Sequence, residues 1–485
     1  MQPAKQIVTQ TVLGICLIVA SHLSMAVDSN NLPSLGDYTS GIVSLEQERA
    51  IGQEFLRSLR AGAPLVYDPV LQEYLELLIY KLASHSQLKD RRLDLVIINN
   101  ESLNAFAAPG GIVGVNLGLF LFGESESEIS AILAHEIAHL SQRHFARRSE
   151  AGKKASLTSM VGLLTGVVLM ATSNSEAGMA AISASRAITQ SEMLRYSRSR
   201  EAEADRVGIN TLLEAELDPR AMAHMFERLN RASRFDGRDI PEFLLTHPVT
   251  KNRIADSYAH TEKQPLKVFD ESLDFHLMRA RILTMIAESN VDTILRMTDK
   301  LTTGDEVTQT AARYGLALAQ NGAGQFDNSM RNIMRLRAEY PSKIAFILAE
   351  ADIHVSAERY ENALAVLEQA LLIAPGNYPL TMAHAETLMK AKQADAAVAI
   401  LLMMTQTRAN DQDVWFLLAE AYGLARNGAG VHQARAEYFI LVGNFDQALK
   451  QLGFATPLVR GNFQENARIQ QRINEIYEML ARRNS

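Results

Sequence analysis

From about residue 323 the chain repeats itself every 34 residues, and few features restrict a fold as tightly. Ala323, Ala357 and Ala391 stand one period apart, as do Phe326 and Tyr360, and Ala363 and Ala397. Tyr340-Pro341 returns as Ala374-Pro375, and the next step lands on Ala409 before Asn410. A period of this length is one pair of antiparallel helices, which hides its apolar face only by stacking on the next pair. Pairs are expected at about Thr310–Ala338, Lys343–Ile373, Tyr378–Arg408 and Asp413–Leu452, the last with irregular spacing.

A 34-residue helix pair is the tetratricopeptide repeat, whose stacked pairs leave a concave surface for protein partners. The repeats use less than half of the 485 residues, so a second domain must precede them. A net charge of −7 argues against a nucleic-acid binder. At the N-terminus Lys5, the apolar run Val12–Ala20 and the small residues of Ser24-Met25-Ala26 have the order of a secretory signal, giving residues 1–26 as a cleaved leader. The single cysteine, Cys16, lies in that segment, so any metal in the mature chain must be held by His and carboxylate.

Between leader and repeats the pattern is mixed. Helices are expected near Leu45–Arg60 and Pro69–Ser84, a buried strand over Leu93–Ile98, and a hairpin that turns at Pro109-Gly110-Gly111. Helical spacing then runs from Glu126 to about Arg148. The uncharged stretch Ala155–Ser175 reads as a helical loop facing a membrane surface or substrate, or as plain core.

The sharpest chemical signal is His135-Glu136-Ile137-Ala138-His139. Histidines four apart on a helix project from one face and can ligate one Zn²⁺. Glu136 beside them is placed to take a proton from metal-bound water, whose pKa zinc lowers towards about 7. A catalytic zinc needs a third protein ligand. His144 is five residues past His139, about 140° round a regular helix, and so would miss the site. The segment Arg200-Glu201-Ala202-Glu203-Ala204-Asp205 is the better source. There Glu201 and Asp205 share a face, Glu201 as ligand and Asp205 orienting a histidine, while Glu203 points elsewhere.

These motifs carry a resemblance. H-E-I-A-H followed by S-R-x-x-E-A-E-A-D-R-V-G is similar to the metallopeptidase family containing HtpX and the CAAX prenyl proteases. Asn104-Ala105-Phe106-Ala107 before Pro109-Gly110-Gly111, and Thr246-His247-Pro248, resemble that family's soluble branch. The resemblance implies a mainly α protein: a gluzincin-type α+β protease domain with a small sheet over 27–265, then an α-solenoid of repeats over 266–485. It implies one Zn²⁺ on His135, His139 and Glu201, with Glu136 as base, and His247 in a fourth position that holds the enzyme latent. Asn104, Phe106 and Ala107 would lie on an edge strand that docks substrate backbone. The oxyanion stabiliser stays open among His144, Tyr196 and Arg253. The relatives with both domains imply a periplasmic endoprotease and chaperone for unfolded or stalled outer-membrane proteins, docked on the β-barrel assembly machinery through its repeats. The alternative is a mostly silent protease that serves as an adaptor.

Overall fold

The computed structural model describes residues 43–151, 162, 198–235, 241–262, 264 and 267–484. The leader, Tyr196 and all of Ala155–Ser175 except Gly162 lie outside the described residues. No helix among the described residues is long and apolar enough to cross a membrane.

Helix α1 (Leu45–Gly62) opens with a capping box, in which Ser44 accepts from the Gln47 amide while the Gln47 side chain accepts from the Ser44 amide. Its buried residues Ile51, Phe55, Leu56 and Leu59 form one stripe. Helix α2 (Pro69–Ser84) starts with proline at its first position, behind Asp68, which accepts from two first-turn amides. Between these helices lies a three-stranded sheet in the order β1-β3-β2, with β1 (Asp94–Ile98) parallel to β3 (Ile112–Asn116). Strand β2 (Ala105–Ala108) is antiparallel to β3 and forms an edge. The hairpin turns through Gly110 and Gly111 at φ of +76° and +84°, which glycine adopts without strain. One face of the sheet packs Val96, Ala108 and Ile112 on Phe55, Leu56 and Leu59. The other face packs Val113 and Val115 into the main core with Leu71, Leu75, Ile129 and Ile132.

Helix α3 (Gly118–Phe122) leads to α4 (Glu126–Ser141), buried without interruption from Glu128 to His139. The helix expected to run on to Arg148 stops here. Arg143 takes φ of +50°, and a separate α5 (His144–Ala151) starts in a new direction. Helix α6 (Arg198–Glu214) lies close against α4, because a Cβ on Gly208 would sit 3.2 Å from the His135 amide nitrogen. Helices α7 (Ala221–Phe235), α8 (Glu242–Thr246) and α9 (Lys251–Thr261) complete this part.

Six helix pairs follow over the described residues, from Leu273 to Asn484. Second helices begin at Phe326, Tyr360, Ala394 and Gly428, each 34 residues on. The left-handed residue of the turn recurs with the same period at Gly324, Glu358, Lys392 and Arg426. The fourth expected pair is shorter than read: it ends at Leu441, and Phe445–Leu458 with Phe463–Asn484 makes a further pair, whose helices start 33 and 35 residues after those of the pair before. Helix α2 seats the two parts on each other. Asp68 pairs with Arg281 at 2.7 Å, Glu76 with Arg408 at 2.7 Å, and Glu73 accepts from Asn377 at 2.7 Å. The main apolar core runs through this junction from Phe120 to Phe275 and Phe346.

Candidate metal centre and active site

Helix α4 carries His135 and His139 to the same face, with their Nε2 atoms 3.0 Å apart. Helix α6 brings Glu201 across, its carboxylate 3.6 Å from His135 Nε2 and 3.5 Å from His139 Nε2. At the end of α8, His247 turns Nδ1 inward, 3.3 Å from His135 Nε2 and 3.1 Å from Glu201 Oε1. All four side chains are buried, and they are the one group of this kind among the described residues. The edge of a tetrahedron with bonds of about 2.0–2.1 Å is about 3.3–3.4 Å, so separations of this size suit a zinc-sized ion with nitrogen and oxygen donors. The residues present therefore fit the metal that the donor set calls for.

The other sides of these ligands are held as well. His135 Nδ1 meets Asp205 Oδ1 at 2.9 Å. Arg253 grips Asp205 with two hydrogen bonds of 2.6 Å, lies 2.8 Å from Glu201 and donates to the Pro248 carbonyl at 3.0 Å. His139 Nδ1 meets His144 Nδ1 at 2.7 Å, and His144 Nε2 meets Glu203 at 3.1 Å. His144 and Glu203 thus stay outside the ligand group, as their helix positions imply, yet both have partners beside it. The break at Arg143 swings His144 behind His139, where it orients that ring without joining the ligand group, and Glu203 holds His144 in turn. Burial draws the His144 pKa down to about 4, so the ring is neutral and Nδ1 can accept from His139. Two of the oxyanion candidates are thereby placed. His144 lies on the far side of His139, and the Arg253 guanidinium is engaged by Asp205 and Glu201. Tyr196 lies outside the described residues.

Burial works to raise the Glu201 carboxyl, but His247, His135 and Arg253 together hold it at about 2, so it is ionised. Burial draws the His139 pKa well below its usual range and leaves its lone pair available to a metal. Glu136 shifts upward because it is buried, with His247 and His135 partly offsetting. Its Oε2 accepts from the Ala107 amide at 2.9 Å, and its Oε1 lies 3.4 Å from His247 Nε2. A raised carboxyl with one oxygen fixed by a backbone amide and the other facing the ligand cluster is suited to accepting and returning a proton.

Strand β2 passes beside Glu136, but its side chains divide. Ala107 meets Glu136 through its main-chain amide. Phe106 turns to the opposite face of the sheet, against Gly114 and edge-on to Phe55 at 6.0 Å. The Asn104 amide donates to Glu242, as do those of Asn100 and Asn116. Sequence reading missed Glu242, Arg253 as a clamp, and the part played by Glu203. Each is a single polar residue far in sequence from its partners, and no spacing announces it.

The sequence pattern of peptidase family M48 matches residues 69–259, and that of the tetratricopeptide repeat matches residues 354–421. The chain is 32% identical over 459 residues to the beta-barrel assembly-enhancing protease of Escherichia coli (strain K12), covering 95% of this chain and 94% of that one. It is 34% identical over 475 residues to a putative beta-barrel assembly-enhancing protease of Vibrio cholerae, covering 96% and 97%. A mitochondrial metalloendopeptidase of Schizosaccharomyces pombe is 30% identical over 216 residues, 44% of this chain and 60% of that one.

Proposed function

This chain belongs to the M48 metallopeptidases, in the family of the beta-barrel assembly-enhancing proteases, and from that premise we propose that it is a latent periplasmic zinc endoprotease for outer-membrane protein quality control. The observation that carries the reading is the convergence of His135, His139, Glu201 and His247 beside Glu136. In this reading one Zn²⁺ sits on His135, His139 and Glu201. Bound there, it would lower the pKa of a water and polarise a scissile carbonyl. Glu136 takes the proton and passes it to the leaving amine. Asp205 holds the proton of His135 on Nδ1 and so keeps its Nε2 lone pair on the metal, and Arg253 fixes Asp205 and Glu201 together. Substrate backbone lies along β2 next to Glu136. His247 takes the fourth position and must leave for substrate to be cut.

The division into a leader over 1–26, a protease domain over 27–265 and repeats over 266–485 belongs to the same reading. So do the clients: unfolded or stalled β-barrel proteins, met at the β-barrel assembly machinery through the repeats. A second reading, chiefly adaptor and chaperone, draws on the depth at which His247 is inserted, 3% exposed between Glu201 and Glu136. Glu136→Gln separates the two. Retained client binding with lost cleavage shows two activities in one chain, whereas cleavage that survives overturns the protease reading.

A further inference from the structure

Strand β2 can pair on its outer side only through alternate residues. Asn104, Phe106 and Ala108 turn their main-chain groups inward to β3, as the bond from the Asn116 amide to the Asn104 carbonyl shows. Leu103, Ala105 and Ala107 therefore present theirs outward, and two of these outward groups are already engaged. The Ala107 amide donates to Glu136 at 2.9 Å, and the Leu103 carbonyl accepts from the Phe243 amide at 3.3 Å. The second bond places the start of α8 where the far end of a bound chain would lie. Glu242, the residue before Phe243, is held there by the amides of Asn100, Asn104 and Asn116 at 3.3, 3.2 and 3.4 Å.

Helix α8 transmits any movement of its start to its end. The His247 amide donates to the Phe243 carbonyl at 2.8 Å, and the two rings stack at 4.9 Å with 25° between their planes. Phe243 and His247 thus move as one body, with Glu242 at one end and the Glu201 contact at the other. We propose that Glu242 and its three asparagines form a latch that keeps His247 on Glu201, and that an extended chain pairing along β2 as far as Leu103 releases it. The proposal rests on the reading of His247 as the closing group.

Its consequence is a length requirement on the substrate. From Ala107 to Leu103 is four residues, about 14 Å of antiparallel strand. A short peptide reaches Ala107 and Ala105 but leaves Phe243 on Leu103, so His247 stays in place. A chain that offers about five or more consecutive extended residues takes the Leu103 carbonyl from Phe243 and draws Asn104 away from Glu242. The latch selects unpaired strands over short flexible ends. Unassembled β-sheet protein is rich in the former.

The test uses the full mature chain with zinc bound. A cut site mapped on a loosely folded protein supplies two quenched fluorogenic peptides, about four and about twelve residues long, one below and one above the length that reaches Leu103. Wild type is expected to favour the longer peptide by about tenfold or more in kcat/KM, the ratio set by the open fraction. Glu242→Ala is expected to raise cleavage of the short peptide towards the His247→Ala rate and to bring the ratio below about threefold. If Glu242→Ala leaves the short-peptide rate unchanged while His247→Ala raises it, the latch is wrong and the closing role of His247 stands. If neither variant raises it, that role falls too. Hydrogen exchange in an otherwise intact Glu136→Gln chain gives a readout that needs no cleavage. The amides of residues 242–247 should exchange faster with the longer peptide bound and not with the shorter, and unchanged protection with both overturns the proposal.

Discussion

Replacing Arg253 by alanine should destabilise the chain more than any other single substitution in α9. Arg253 is 6% exposed and makes two hydrogen bonds of 2.6 Å to Asp205, one contact of 2.8 Å to Glu201, and a hydrogen bond to the Pro248 carbonyl. Its guanidinium also lies 4.6 Å from the centre of the Phe226 ring. Removing it leaves two buried carboxylates facing each other's charge with only imidazoles to balance them. Breaking a buried pair from one side costs about 3–5 kcal/mol, because the stranded partner keeps its desolvation cost. Arg253→Lys keeps the charge but replaces a two-pronged grip with a single point, so about half that loss is expected. The assay is urea unfolding of the metal-free protein at neutral pH, which keeps metal affinity out of the comparison. A cost below about 1 kcal/mol for Arg253→Ala would refute the view that these carboxylates depend on the guanidinium.

Three other expectations can be checked on purified protein. Gly114→Ala puts a Cβ 2.1 Å from the Phe106 ring, so the ring must leave Phe55 and stability should fall by about 1–3 kcal/mol in chemical unfolding; an unchanged midpoint contradicts the cross-strand packing. His144→Ala should weaken zinc binding about 10- to 100-fold in a chelator competition with helical content unchanged, and an unchanged affinity removes His144 from the support of His139. Asp413 is raised to about 7 by burial, with Asp411 adding to the shift. Its folded pKa thus exceeds the unfolded one, so its contribution to stability is full below about 4 and is lost as pH rises through about 7. Asp413→Asn should therefore stabilise the protein at pH near 8 by about 1–2 kcal/mol after allowance for partial exposure, and little at pH near 4. A gain equal at both pH values refutes that assignment.

What could be read from the sequence followed from local chemistry. The Pro109-Gly110-Gly111 turn needs two left-handed residues, and the chain supplies glycines there. Glu201 and Asp205 share a helix face, and the fold turns that face to His135. The 34-residue period survives in the structure even where its turn residue is Glu358, Lys392 or Arg426 in place of Gly324. What could not be read depends on single backbone choices or distant partners. Ser141-Gln142-Arg143 contains neither Gly nor Pro, so nothing announces the break that carries His144 to His139. Glu242 meets Asn100, Asn104 and Asn116 across more than a hundred residues, and a lone glutamate has no period to betray it. The final helix pair starts 33 and 35 residues after the helices of the pair before it, a shift that hides it from a strict period. The packing of Ile440, Leu452 and Ile476 and the ion pair of Arg472 with Glu437 join the two.

The most direct test of a latent zinc protease is cleavage of a loosely folded protein by residues 27–485, with the metal content of the same samples determined. Wild type, Glu136→Gln and His247→Ala should each carry about one zinc per chain, as expected for one four-ligand site. Glu136→Gln should lose cleavage while keeping its metal, and His247→Ala should cut faster than wild type. A wild-type chain that cleaves without zinc, or cleavage indifferent to Glu136, would contradict the assignment at its centre.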